Sequence, residues 1–164
     1  MPLPSTMTPI ATQTLNTTAN TVTFSSIPNT YTDLVLIISA IGTGDLQING
    51  RVNSDSGTNY STVYLAGNGA SAASATQSGA NAFGTDYFFS VTTAGNVSIL
   101  QFMNYSNSTT YKTILARSGV ASKGTMATSS HWRSTAAINS ITILASQNNF
   151  NTGSTFTLYG IKAA

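Results

Sequence analysis

The distribution of hydrophobic and polar residues along the chain predicts short β-strands separated by turns. The clearest pattern is DLVLIISAI at 33–41, a continuous apolar run that is typical of a buried central strand. TVTF at 21–24 and IATQTL at 10–15 mix polar and apolar positions, as expected of strands with one face in the core. Further strand-like runs occupy 60–67, 87–91, 96–105, 110–118, 138–146 and 155–161.

The segment NVSILQFMNY at 96–105 differs from these runs because both of its faces are largely apolar. One face carries Val97, Ile99, Gln101 and Met103, and the other carries Ser98, Leu100 and Phe102. The pattern predicts a strand that lies between two layers or at a contact between subunits.

Turn signals divide the strand-like runs. Asn49-Gly50 is a strong signal for a two-residue hairpin turn, and QNNFNTGS at 147–154 is typical of a turn before the last strand. The segment NGASAASATQSGANAFG at 68–84 consists mostly of small residues without apolar periodicity, so we expect a long surface loop there.

These patterns predict an all-β fold with about nine or ten short strands. Two packed antiparallel sheets, a jelly-roll-like sandwich, would supply the core that a chain of 164 residues needs. We expect one such domain over 11–164. Residues 1–10 contain three prolines and are expected to form an N-terminal arm rather than to begin a regular strand.

Composition supports this fold class and narrows the possible partners. Only 6% of the residues are charged, against about 25% in ordinary soluble domains, and serine, threonine and asparagine take their place. The six basic residues are scattered, which argues against a nucleic-acid partner. No apolar run is long enough to span a membrane, and no secretory signal is apparent, so we expect synthesis in a host cytoplasm and no membrane partner.

Candidate chemistry is sparse. His131 is the only histidine, cysteine is absent, and the carboxylates are limited to Asp33, Asp45, Asp55 and Asp86. A Ser-His-Asp site, a pair of glycosidase carboxylates and a zinc site all lack part of their residues or spacing. NSDSGTN at 53–59 has one carboxylate where calcium prefers several, so a hydrated turn with Gly57 at positive φ is expected. We therefore predict no catalytic residue, no metal site and no cofactor.

Trp132 and Arg133 form a different kind of candidate. Tryptophan and arginine are the residues most enriched at interface hot spots, whereas a lone tryptophan is also a common core residue. Core packing and an assembly contact both remain open for Trp132. Phe156 and Tyr159, in the strand-like TFTLYGI, complete the set of core or assembly candidates.

Several strings together resemble a family of small virion structural proteins of tailed phages, including cyanophages. They cover most of the chain outside its first ten residues and the 68–84 segment: VTFSSIPNTYTDLVLIIS, INGRVNSDSGTNYSTVYLAGNG, NYSNSTTYKTILARSG, WRSTAAINSITI and NFNTGSTFTLYGIK. Members of this family resemble capsid decoration, or cement, proteins and modules at the ends of tail fibres. The resemblance implies a β-sandwich or jelly roll, a homotrimer and no catalytic residues.

Together the residues and the resemblance predict a non-enzymatic head decoration protein that lies on the outer surface of the virion capsid. Its expected partner is the major capsid protein, whose assembled form it would stabilise. The alternative is a tail fibre or baseplate module that recognises a host surface glycan. A polysaccharide-degrading enzyme is a third hypothesis, which would require paired aspartates.

Overall fold

The computed structural model describes residues 6–84, 90–120 and 123–162, and these residues contain twelve β-strands. The strands alternate inward and outward positions, as side chains on a pleated strand must. In chain order they are β1 (Met7–Thr14), β2 (Thr21–Phe24), β3 (Asp33–Ala40), β4 (Leu46–Val52), β5 (Tyr60–Gly67), β6 (Ala72–Ala80), β7 (Ser90–Val91), β8 (Asn96–Met103), β9 (Lys112–Val120), β10 (Gly124–Trp132), β11 (Ile141–Ser146) and β12 (Thr155–Ile161).

Eight of the strands have the connectivity of a jelly roll. They form two antiparallel groups, with the orders β1-β12-β3-β8 and β2-β11-β4-β7. Within this set the first strand pairs with the last, the second with the second-to-last and the two middle strands with each other, which is how a long antiparallel ribbon folds over into two sheets. The expected jelly-roll-like sandwich is confirmed.

The remaining four strands widen one of the two sheets. The strands β9, β10, β5 and β6 add to the free side of β8, so that the large sheet has eight strands in the order β1-β12-β3-β8-β9-β10-β5-β6. The small sheet keeps four strands, one of them only two residues long. The described residues contain twelve strands, whereas nine or ten were expected. The prediction missed β6 and β10 because their hydrophobic patterns are weak.

The core lies between the two sheets and draws on both. Leu34, Leu36 and Ile38 of β3 are fully buried, as the apolar run at 33–41 predicted. They belong to one cluster with residues of the small sheet such as Ile48 and Ile143. Burial of apolar surface of this kind is the main favourable term in folding, at roughly 25 cal/mol per Å².

The prediction of a loop over 68–84 is wrong, although most of its residues are exposed as expected. Its middle is the strand β6, which pairs along its length with β5, and its end enters the core. Phe83 is 2% exposed, and its backbone exchanges two hydrogen bonds with Gly50. The backbone of this segment forms a strand because the adjacent β5 supplies its hydrogen-bond partners. The local sequence pattern alone does not reveal such a partner.

Two other predictions about the backbone also fail. Asn49 and Gly50 lie inside β4 rather than in a hairpin turn. Residues 7–10 of the predicted N-terminal arm belong to β1, which pairs with β12 and has an irregularity between Pro9 and Ala11. Residues 1–5 lie outside the described residues.

Of the strand predicted at 87–91, residues 87–89 also lie outside the described part, and β7 contains only Ser90 and Val91. In the ranges that the structure describes, no helix has the length and hydrophobicity needed to cross a membrane.

Candidate functional site

The end of β10 meets the loop after β4 in a hydrogen-bonded cluster around Trp132. The Trp132 indole is 3% exposed, and its Nε1 donates a 2.6 Å hydrogen bond to Asp55 Oδ2. The same carboxylate accepts hydrogen bonds from Asn59 Nδ2 at 2.9 Å and from the Gly57 backbone at 2.8 Å. We call these residues, with Arg133, the Trp132 cluster.

Both oxygens of Asp55 are therefore used within the protein. Burial opposes ionisation of this carboxyl group, but the hydrogen bonds from Trp132, Asn59 and Gly57 outweigh it and lower the Asp55 pKa from its ordinary value of 3.8. A carboxylate with a lowered pKa and hydrogen bonds to both oxygens is suited to holding a loop, not to taking up a proton near neutral pH.

Arg133 extends the same cluster along the loop. Its backbone N–H donates to Asn59 O at 2.9 Å, and its Nη2 donates to Thr58 O at 2.5 Å. Gly57 does not adopt the expected positive φ; Asn53 and Ser54 do, at 51° and 57°. The Trp132 cluster thus fixes residues 53–59 as a structured loop.

His131 points away from this cluster. It is exposed, and its Nδ1 lies 3.4 Å from Thr113 Oγ1 on the neighbouring strand. Its cross-strand neighbours are Thr113 and Ser61, both hydroxyl residues. Neither is a carboxylate that could orient an imidazole as in a catalytic triad.

The other described carboxylates also bind groups of the protein itself. Asp33 Oδ1 accepts a 2.7 Å hydrogen bond from the Asn104 backbone, and Asp45 forms an ion pair with Lys123. Within the described ranges, no three histidine, cysteine, aspartate or glutamate side chains come close enough to hold a metal ion.

Lys112 is an unusual buried cation at the start of β9. It is 1% exposed, and its Nζ donates to the backbone carbonyls of Thr110 at 2.7 Å and Thr135 at 3.1 Å. Burial lowers the Lys112 pKa, and its amine donates to these two backbone carbonyls. Its contacts join β9 to the segment after Trp132.

The two candidates in β12 lie on opposite faces of that strand. Phe156 is fully buried and packs edge-to-face on Phe150, with ring centroids 5.1 Å apart. Tyr159 is half-buried and lies opposite Val35 of β3, on the face turned away from the small sheet. Neither residue belongs to the Trp132 cluster.

The side of the large sheet that faces away from the small sheet has no evident structural role. We call this side, over β8, β9, β10 and β5, the outer face. Large apolar side chains are exposed along three of these strands, namely Val63, Leu65, Val97, Met103 and Leu115. Several large apolar side chains exposed on one face of a sheet favour an interaction site there.

Sequence reasoning found part of this surface. The two apolar faces of 96–105 predicted a second layer or a subunit contact, and the structure places Val97 and Met103 outward. The contributions of Val63, Leu65 and Leu115 were missed because only the pairing of β9, β10 and β5 brings them beside β8.

The sequence matches no protein-family model, and a search of curated proteins found no similar protein.

Proposed function

We propose that this chain is a non-enzymatic structural protein of a tailed-phage virion, most specifically a head decoration protein. In this role it lies on the outer surface of the capsid and binds the major capsid protein. The observation that carries the proposal is the exposed apolar outer face of the large sheet, since a structural protein that docks on a shell needs such a surface.

The fold and the chemistry of the described residues support the same proposal. Jelly rolls are common among viral capsid domains. The three described aspartates do not meet at a cleft. Asp55 binds Trp132, Asp33 binds the Asn104 backbone, and Asp45 pairs with Lys123. The specific assignment to a phage virion rests on the resemblance of five strings of the sequence to phage virion proteins.

A decoration protein stabilises a capsid by mass action because it binds the assembled form and not the free subunits. Association as a homotrimer is part of the proposal, since three linked copies bind a shell with higher avidity than one. Long-range electrostatic attraction to the shell is weak in a chain with a formal net charge of +2, so docking depends on local contacts.

Cryo-electron microscopy of the virions that contain this chain is the direct test. We expect density that fits the twelve-stranded fold at regular positions on the shell. Density confined to the tail would refute the capsid role. Virions without this chain should also lose their genome at a lower temperature than complete virions do.

A tail module that binds a host surface glycan is the second candidate. The jelly roll is also a lectin fold, and Tyr111 offers an aromatic side chain that is 60% exposed. A glycan array probed with the purified chain tests this candidate, with Tyr111→Ala as the matched variant. Binding to host surface glycans that the variant loses would favour it over the decoration role.

A further inference from the structure

The outer face is continuous across four strands because of their register. Ile99 of β8 lies opposite Arg117 of β9, which lies opposite Ala127 of β10, which in turn lies opposite Leu65 of β5. The next row on the same face runs from Gln101 through Leu115 and Ser129 to Val63. A partner that covers these rows would bury Leu65, which is 65% exposed, together with its apolar neighbours.

Arg117 is the one charged residue in these two rows. Its cross-strand neighbours Ile99 and Ala127 are apolar, and so is Leu115 two residues before it. Ile99, Gln101, Leu115 and Ala127 line a shallow depression with it. Within the described residues, no hydrogen bond or ion pair holds the Arg117 guanidinium, so it is available to a partner.

A partner that covers this face must carry an acceptor for Arg117. Burying an unpaired guanidinium is costly, whereas a carboxylate can bind it with two parallel hydrogen bonds. We expect apolar surface beside the acceptor because the two cross-strand neighbours of Arg117, Ile99 and Ala127, are apolar. A nucleic acid does not fit this description, since it needs several cations to match its phosphates.

Within the described ranges, a second copy of the same chain offers no carboxylate that is without a partner. The described carboxylates of Asp33, Asp45 and Asp55 already bind Asn104, Lys123 and the Trp132 cluster, respectively. Two outer faces stacked around a twofold axis that passes near Arg117 would also place two like charges close together. Charge complementarity therefore favours a different protein.

We propose that the outer face is the docking surface for a partner protein and that Arg117 pairs there with a carboxylate set among apolar side chains. This inference rests on the proposed function, in which the partner is the major capsid protein of the assembled shell. The trimer contacts of the chain would then lie elsewhere, leaving the outer face directed at the shell.

The test uses capsids purified from a phage that lacks the gene for this chain. The purified chain is added back, and bound protein is measured by pelleting across a range of concentrations. We expect Arg117→Gln to weaken binding at least tenfold and Arg117→Glu to abolish it, since the partner is acidic. Leu65→Ser should weaken binding by a similar factor, whereas Arg117→Lys should retain part of it.

Arg51→Gln is the matched control. Arg51 lies on the small sheet, where alternate residues of β4 face the core and Arg51 faces outward, and its Nε binds Asn81 O. We expect the Arg51→Gln variant to bind the capsids as tightly as the wild-type chain does. Far-UV circular dichroism and the urea midpoint must match the wild type for each variant, which separates lost docking from lost folding.

The outcomes distinguish the two proposals. Failure of the wild-type chain to bind these capsids would refute the decoration role. Wild-type binding that Arg117→Gln and Leu65→Ser leave unchanged would refute the docking surface while the decoration role stands. Sedimentation velocity gives a further check, because a wild-type oligomer that dissociates in Arg117→Gln would show that the outer face joins copies of this chain, which contradicts the inference.

Discussion

Trp132 links the end of the large sheet to a loop of the small sheet. Its indole fills part of the core, and its N–H satisfies a partly buried carboxylate of Asp55. The sequence left core packing and an assembly contact open for this residue. Its 3% exposure supports the first interpretation, since so little of the ring is available to a partner.

Replacing Trp132 with phenylalanine tests the contribution of the indole. The smaller ring leaves Asp55 without one of its donors and leaves space in the core, so we expect the free energy of unfolding to fall by about 2–4 kcal/mol. Urea denaturation followed by far-UV circular dichroism measures this change.

The adjacent His131 offers the control, because it is exposed and has only a 3.4 Å contact with a threonine hydroxyl. His131→Ala should change stability by no more than about 0.5 kcal/mol. Equal losses in the two variants would contradict the assigned role of Trp132.

Asp55 predicts a specific dependence of stability on pH. Because its pKa is lowered in the folded state, its contribution is fully present above the unfolded value near 3.8 and is lost as the pH falls through the folded pKa. Asp55→Asn should therefore be less stable than the wild type at pH 7, with a difference that shrinks below about pH 4.

This difference is measured by the urea midpoints of the wild type and Asp55→Asn between about pH 2 and pH 7 at constant ionic strength. A gap that stays constant over the whole range would show that the carboxylate charge contributes nothing.

At the scale of elements, β4 shows why a turn signal became a strand interior. Gly50 lies where the Phe83 ring covers the backbone, and a Cβ at this position would stand 2.2 Å from the ring. The Phe83 ring also packs against Tyr60 and Phe102, so it has little room to move. Glycine is required here by close packing and not by a turn.

Gly50→Ala is therefore expected to destabilise the protein by about 1–3 kcal/mol through overpacking. Gly67→Ala provides the comparison, since Gly67 also lies in a strand but its Cβ would meet no atom closer than 3.9 Å. The free energy of unfolding of Gly67→Ala should differ from that of the wild type by less than about 0.5 kcal/mol. Thermal unfolding measures both, and an unchanged Gly50→Ala midpoint would contradict the packing argument.

At the scale of the whole molecule, one core joins the jelly roll to the strands that widen it. Trp132, Tyr60 and Ile114 come from the added strands and belong to the same buried cluster as Phe24 and Ile143 of the small sheet. We infer that the added strands do not unfold separately.

The single tryptophan makes this inference measurable. Trp132 fluorescence reports on β10, whereas far-UV circular dichroism reports on all strands. The two urea transitions should coincide within error, as expected of a two-state domain. A fluorescence transition at clearly lower urea would show that β5, β6, β9 and β10 form a separate unit.

The sequence by itself determined the fold class and most of the strands. The composition and the local hydrophobic patterns sufficed for β2, β3, β5 and β12, with alternation in β2 and a continuous apolar run in β3. The same reasoning failed for β6 and for Gly50, whose conformations depend on partners distant in the chain.

Only the tertiary structure decided which side chains meet. The hydrogen bond between Trp132 and Asp55 spans 77 residues, and the neighbours of Arg117 on the outer face come from different strands. Such contacts are set by strand order and register, which follow from the packing of two sheets around one core and not from any local pattern.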